Sequence, residues 1–262
     1  MSNKLIFQFS QKKTDGDKSM IDLLGGKGAN LAEMSKLRIN VPPGFTITTE
    51  VCNYYIENNS MPENFDKELK ACISNLEKYS GKVFGSSENP LLLSVRSGGK
   101  ISMPGMMDSI LNIGLNDTNV QHLGRVFDDE RFALDSYRRL IQMYGNVVLG
   151  IDHNRFEAVI NNKKRIDNIA SDTDFNPDQL QWIIDAYKNT VERFSKLPFP
   201  QDPEEQLIGS VQAVFNSWLN KRAITYRRIN NIPNKWGTGA TVQTMVFGNL
   251  NEKSGTGVAF TR

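Results

Sequence analysis

A lysine set among glycines, Gly25-Gly26-Lys27-Gly28-Ala29-Asn30, is the first place in this sequence where chemistry could be done. Glycines let a backbone come close to an anion, a helix start offers N–H groups without partners, and a lysine adds a mobile positive charge suited to phosphate. The spacing is not that of a Walker A loop, because position 21 is Ile and position 28 is Gly, and it does not match G-x-G-x-x-G. Alone, the stretch reads equally well as a glycine-rich turn with a solvated lysine. The second place is Ser94-Val95-Arg96-Ser97-Gly98-Gly99-Lys100-Ile101-Ser102-Met103-Pro104-Gly105-Met106-Met107-Asp108. Arg96 ends an apolar run, so its planar fork would project from a rigid platform and could grip phosphate oxygens in pairs. The following loop, with Ser102, Met103 and Gly105, could fold over a nucleotide and exclude water. The bland alternative is an arginine paired with a structural carboxylate beside a mobile loop. The third place is Thr241 to Gly248, where alternation puts Gln243, Met245 and Phe247 on one face and Val242, Thr244 and Val246 on the other. Such a strand could supply an adenine slot or simply belong to a core.

Other reactive side chains have plainer readings. His122 and His153 are the sole histidines and have no metal-ligand spacing. Cys52 and Cys72 form no C-x-x-C pair and fall in helical patterns, so they read as packing residues in a reducing compartment. The pairs Arg138-Arg139 and Arg227-Arg228 read as solvated helix faces or contacts between subdomains.

These residues need elements to position them. Lys4 to Phe9 reads as a strand, and the glycines at 25–28 open a helix with Leu31, Met34 and Leu37 on one face. Asn40 to Gly44 breaks it, Phe45 to Thr48 alternates like a strand, and Thr49 is placed to cap the next helix. Leu91 to Val95 reads as a buried strand ending in Arg96. From about 117 to 196 helical periodicity takes over, with one stripe through Phe132, Ser136, Tyr137, Leu140, Ile141 and Tyr144 and another through Leu180, Ile183, Ile184, Tyr187, Val191 and Phe194. After the linker Leu197 to Pro203, a single long helix is expected through Leu207, Val211, Phe215, Trp218 and Arg222. Strand-like sequence returns from Gly237, including Gly257 to Arg262.

Composition excludes several classes. The 262 residues carry 31 Lys and Arg against 29 Asp and Glu, a net charge of +2, which leaves no electrostatic footprint for nucleic acid and no polybasic membrane arm. Apolar runs are a few residues long, too short to span a bilayer, and the first residues lack the apolar core of a secretory leader. A cytoplasmic protein is expected.

Taken in order, the motifs resemble the pyruvate phosphate dikinase family. The likeness rests on Leu23 to Met34, Val41 to Glu50, Ser94 to Gly98, Ser102 to Asn116, Phe132 to Arg139 and Val242 to Asn249. Phosphoenolpyruvate synthases share the G-G-K opening and the V-R-S strand end, but their S-F-A-G-Q-type loop differs from Ser102-Met103-Pro104-Gly105-Met106 here. The water-dikinase reading and a non-catalytic nucleotide-binding module therefore stand second. The resemblance implies an α/β (α+β) fold of ATP-grasp-like type: residues 1–115 with 205–243 forming a first subdomain, 116–204 a helical insert, and 244–262 the start of a second subdomain with an open sheet edge. It implies that Lys27 and Arg96 grip phosphates, that Gly26, Gly28, Ser102, Met103 and Gly105 line the nucleotide, and that Gln243, Met245 and Val246 form the adenine slot. In the family, phosphoryl groups pass from ATP to inorganic phosphate and to a histidine on a swivelling domain, then to pyruvate on a further domain. Neither His122 nor His153 matches that histidine. The family's magnesium ligands follow the G-T-G-V-x-F-T-R segment, so no metal ligand is expected in this chain and Mg2+ with ATP would belong to an intact, homodimeric enzyme.

Overall fold

The β-branched and aromatic runs before residue 245 gather into one antiparallel sheet. The computed structural model describes residues 4–251 and 253–258. Strands β1 (Ile6–Phe9), β2 (Gly44–Ile47), β3 (Leu93–Gly98), β4 (Ser109–Ile113) and β5 (Gly239–Thr244) stand in the order β1-β2-β5-β3-β4. Every neighbouring pair is antiparallel, so the mixture of helix and sheet is the α+β form of the expected class. β3 runs two residues past Arg96, and β5 stops at Thr244 rather than Gly248.

The two sheet faces differ in chemistry. Phe45, Ile47, Leu93, Val95, Ala240 and Val242 are fully buried on one face, where they join the main apolar core. The register places Thr46, Thr241 and Arg96 side by side on the other face, which is covered by α1 (Ile21–Lys36). At β1 the same face is apolar, with Phe7 packed against Leu24 and Ala29 and Phe9 against Ala32 and Val41.

Helix α1 starts four residues before the glycines and breaks at Gly25, whose φ of 67° and ψ of 168° are not helical. Helix α2 (Thr49–Asn58) is capped by Thr48, whose hydroxyl accepts from Val51 N at 3.4 Å, one residue earlier than the sequence pattern suggested. Helix α3 (Phe65–Ser80) follows on the core side of the sheet, where it buries Cys72; Cys52 of α2 is also buried, and both thiols are free.

Four helices occupy the stretch after β4: α4 (Val120–Phe127), α5 (Glu130–Val147), α6 (His153–Asp167) and α7 (Pro177–Ser195). Both predicted stripes face inward, except that Phe194 is 43% exposed. Their apolar core is continuous with that of the sheet. Arg138, expected on a solvated face, is instead buried, with Nε and Nη2 both bonded to Asp135 Oδ1 at 2.9 and 2.7 Å.

The expected long helix after the proline linker is two helices, α8 (Pro203–Ser217) and α9 (Lys221–Ile229). The chain turns at Trp218-Leu219-Asn220 because Trp218 is buried in a satellite cluster with Met103, Ala223 and Ile232. The turn frees the Trp218 carbonyl, which takes a hydrogen bond from Nη1 of Arg227 at 2.6 Å. Arg227 is therefore buried rather than solvated, with its guanidinium 4.0 Å from the Trp218 ring centre.

Beyond Thr244 the described residues form no further strand or helix. Phe247 turns inward against Phe127 and Phe132, with ring centres 5.8 and 5.0 Å away. Gly257 and Val258 of the expected final strand have no regular structure, and Ala259 to Arg262 lie outside the described residues. No helix among the described residues is long and apolar enough to cross a membrane.

Candidate functional site

The break in α1 is imposed by contact with the sheet. A Cβ on Gly25 would lie 1.7 Å from the carbonyl oxygen of Gly98, and its positive φ is one that side chains resist. A Cβ on Gly28 would lie 2.6 Å from Thr46 Oγ1. Past the break, the helix starts again with N–H groups that have no acceptor in their own turn. Gly26 N accordingly donates to Gly99 O at 2.9 Å, fastening the new helix start to the end of β3.

Lys27 stands in this first turn. Its ammonium donates to Ser97 O at 2.7 Å and keeps further N–H donors for a ligand. Burial, and then the nearby positive charge of Arg96, hold its pKa down to about 8 from the usual 10.5. Arg96 is exposed and makes no hydrogen bond or ion pair with the described residues. Two cations thus lie close enough to disfavour each other, with no carboxylate between them, an arrangement that an anion would relieve.

Beside Lys27 is a cavity of 680 Å³ between α1 and the loop joining β3 to β4; Arg96 is not among the residues that line it. Gly26, Lys27, Ser97, Gly98, Gly99 and Lys100 make its polar floor. Ile21, Leu31 and Met34 of α1 form one apolar wall, and Ile101, Met103 and Met107 form the other. A cationic floor with apolar walls suits a polyphosphate carrying a flat apolar group.

The expected site residues are placed unequally. Gly26, Lys27, Ser102, Met103 and Gly105 line the cavity; Gly28 lies beneath it against Thr46. Arg96 pairs in register with Ser109, which is on the cavity wall. Gln243 shares the sheet face of Arg96, one register step away opposite Ser94, but its amide donates to Pro42 O at 2.9 Å. Met245 and Val246 are not brought to this cavity. Met245 lines a separate 160 Å³ hollow with Leu123 and Phe247, and Val246 is 72% exposed.

Residues the sequence reading passed over also shape the site. Asn30 lines the cavity from α1. Lys100, quoted within the loop but given no role, contacts Asp22 and lies 4.7 Å from the Trp236 ring centre. Its place directly after the paired glycines Gly98-Gly99 was the available signal; nothing near Trp236 marked that residue. The cavity lining contains no carboxylate, and among the described residues no group of three or more His, Cys, Asp or Glu side chains is placed to hold a metal ion. The donors here fit phosphate oxygens and do not fit a divalent cation.

Comparison with known proteins shows the family of the chain. The profile of the family described as pyruvate phosphate dikinase, AMP/ATP-binding domain, matches residues 21–83 and 59–262. The chain is 53% identical over 260 residues to pyruvate, phosphate dikinase of Rhizobium meliloti (strain 1021), covering 99% of this chain and 29% of that relative. It is 51% identical to pyruvate, phosphate dikinase of Rickettsia bellii (strain RML369-C), over 99% of this chain and 30% of the relative. Against pyruvate, phosphate dikinase of Clostridium symbiosum the identity is 49%, over 99% of this chain and 29% of the relative. The chain thus spans less than a third of the length of the relatives it matches. The chain belongs to the pyruvate phosphate dikinase AMP/ATP-binding domain family.

Proposed function

We propose that this chain is the nucleotide-binding part of a pyruvate, phosphate dikinase. That enzyme would convert ATP, phosphate and pyruvate to AMP, pyrophosphate and phosphoenolpyruvate, by way of a phosphohistidine carried on a part of the protein beyond these residues. The observation that supports the reading is Lys27 on a cavity whose lining holds no carboxylate, with Arg96 close enough to depress its pKa and paired in register with Ser109 of the cavity wall. Phosphoryl transfer asks a protein chiefly for positioning and for neutralisation of charge on the phosphate oxygens. Lys27 would hold a phosphate oxygen from the helix start, Arg96 would grip another from the strand, and the loop with Ser102, Met103 and Gly105 would cover them against water.

In this reading the chain is an ATP-grasp-like half-site. Residues 1–115 with 205–243 form its first subdomain, 116–204 its helical insert, and 244–262 the beginning of the opposite wall. Gln243, on the sheet face of Arg96, is the nearest of the three adenine candidates, and Met245 and Val246 would need the opposite wall to bring them in. Nucleotide binding by these residues alone is proposed to be weak, because one wall and the acidic groups for a magnesium ion are not among them. The intact enzyme is proposed to be cytoplasmic and dimeric.

The test is made in the intact enzyme. Lys27→Ala or Arg96→Ala should abolish phosphorylation of the histidine by ATP, while exchange between pyruvate and phosphoenolpyruvate on prephosphorylated enzyme continues. Loss of both half-reactions, or of neither, would remove the assignment.

A further inference from the structure

The loop over the cavity floor has little backbone structure of its own. Within residues 101–107 the described backbone bonds reduce to a turn, Met106 N to Met103 O at 3.1 Å. Gly105, at its tip, has a φ of 72° and nothing within 4 Å of its would-be side chain. Such a loop does not hold one position by itself. Its pose is set from outside, by the corner between α8 and α9.

Several side-chain contacts meet there, and Ser217 Oγ also accepts from Asp108 N at 3.5 Å. Arg222 Nε donates to Met106 O at 3.0 Å, and Nη2 of the same fork contacts Asp108 Oδ1. Asn220 Nδ2 donates to Asp108 Oδ2 at 3.1 Å, so both carboxylate oxygens are held. Met103, only 8% exposed, sits in the satellite cluster formed by Trp218, Ala223 and Ile232. An isolated surface ion pair contributes little, but a planar fork that grips a carbonyl and a carboxylate at once fixes an angle as well as a distance. No residue of α9 lines the cavity.

We infer that Asp108 and Arg222 form a latch that fixes the loop 101–107 over the phosphate floor, making them positioning residues for the nucleotide. The consequence for the nucleotide rests on the function proposed above; the ordering of the loop does not. Arg222 is half-exposed and Asp108 is largely covered, so replacing the arginine leaves a mostly covered carboxylate with Asn220 as its remaining side-chain donor, and D108N, which removes that charge, separates the loss of the latch from the stranded charge.

The experiment compares amide hydrogen exchange and ATP titration by NMR for the wild type, R222Q, D108N and R222K. In R222Q and D108N the Met106 amide, which the loop's turn bonds to Met103 O, should exchange about tenfold faster without nucleotide, while those of β3 and β5 keep their wild-type rates. R222K restores the contact to Asp108 but not the simultaneous hold on Met106 O, and should recover part of the protection. The ATP dissociation constant should rise about tenfold in R222Q. Wild-type exchange rates in the R222Q loop overturn the latch. A loosened loop with unchanged ATP affinity overturns the positioning role. If the intact wild-type enzyme shows no ATP binding at saturating nucleotide, the nucleotide reading falls and the exchange rates decide the latch.

Discussion

Two regions of the molecule bring arginine or lysine out of water, and they do it in opposite ways. In α5, Arg138 and Asp135 are both buried; Arg139 adds a bond from its Nε to Asp135 Oδ2 at 2.8 Å, and Gln142 accepts from Arg138 at 3.0 Å. Burial opposes the charge on Arg138, and Asp135 outweighs it, holding the guanidinium pKa above its usual value. At the cavity, Lys27 is half-buried beside Arg96 with no acid, and its pKa falls. The difference teaches that burial alone does not assign a role to a cation: Arg138 is neutralised within the bundle and Arg227 is held by a carbonyl and an amide oxygen, whereas Lys27, in the function proposed above, keeps its charge for a ligand.

That contrast can be broken most forcefully from the bundle side. Asp135→Ala leaves Arg138 buried without its partner and should cost about 3–5 kcal/mol in urea unfolding. A loss below about 1 kcal/mol would show that the pair is not structurally important. Next comes the contact that creates the cavity floor. Gly25→Ala puts a methyl into the Gly98 carbonyl at a positive φ and should cost about 3 kcal/mol, with weaker nucleotide binding, since helix and strand must part. Lys27→Met should behave in the reverse manner to Asp135→Ala: unchanged or raised melting temperature at pH 7, but an ATP affinity reduced about 10- to 100-fold in an NMR titration. A lowered melting temperature would place Lys27 among the structural cations.

The subtlest test is pH. The unfolded chain keeps the Lys27 proton up to about 10.5 and the folded chain only to about 8, so unfolded chains bind more protons between those values. The Lys27 contribution to stability therefore rises from pH 8 towards 10.5, and Lys27→Met should lose that slope in unfolding measured across the range. Affinity for a polyphosphate runs the other way, falling above pH 8 as Lys27 loses its charge. A wild-type affinity that stays level through pH 9 would contradict the assignment of Lys27.

Local patterns carried much of this structure. The alternation at Phe45 to Ile47, the apolar stripes of α5 and α7 and the glycines around Lys27 each announce their element, because sterics and burial periodicity act within a few residues. That Gly26, Lys27, Ser102, Met103 and Gly105 belong together was implied by the family resemblance rather than by a local pattern, and the fold brings them to one cavity. What was hidden depends on distant partners. Nothing local marks Trp218 as a corner, since neither proline nor glycine is there; the turn follows from its burial against Met103, far away in sequence. Arg138 and Arg227 look solvated until Asp135 and the Trp218 carbonyl are placed around them. The alternation continues past Thr244 to Phe247, but the aromatic pair Phe127 and Phe132 draws Phe247 out of the strand. Val246 is then left in solvent rather than in an adenine slot.

The place of β5 has a consequence for synthesis. It lies between β2 and β3, and its partner Gly44 precedes Gln243 by about two hundred residues. During translation β2 and β3 both emerge long before the strand that joins them. Until Gly239 to Thr244 leaves the ribosome, the nascent chain has two unsatisfied edges, a template for misassembly with other polypeptides. Productive maturation must therefore be late and concerted, and chaperone dependence should disappear abruptly once those six residues have been added.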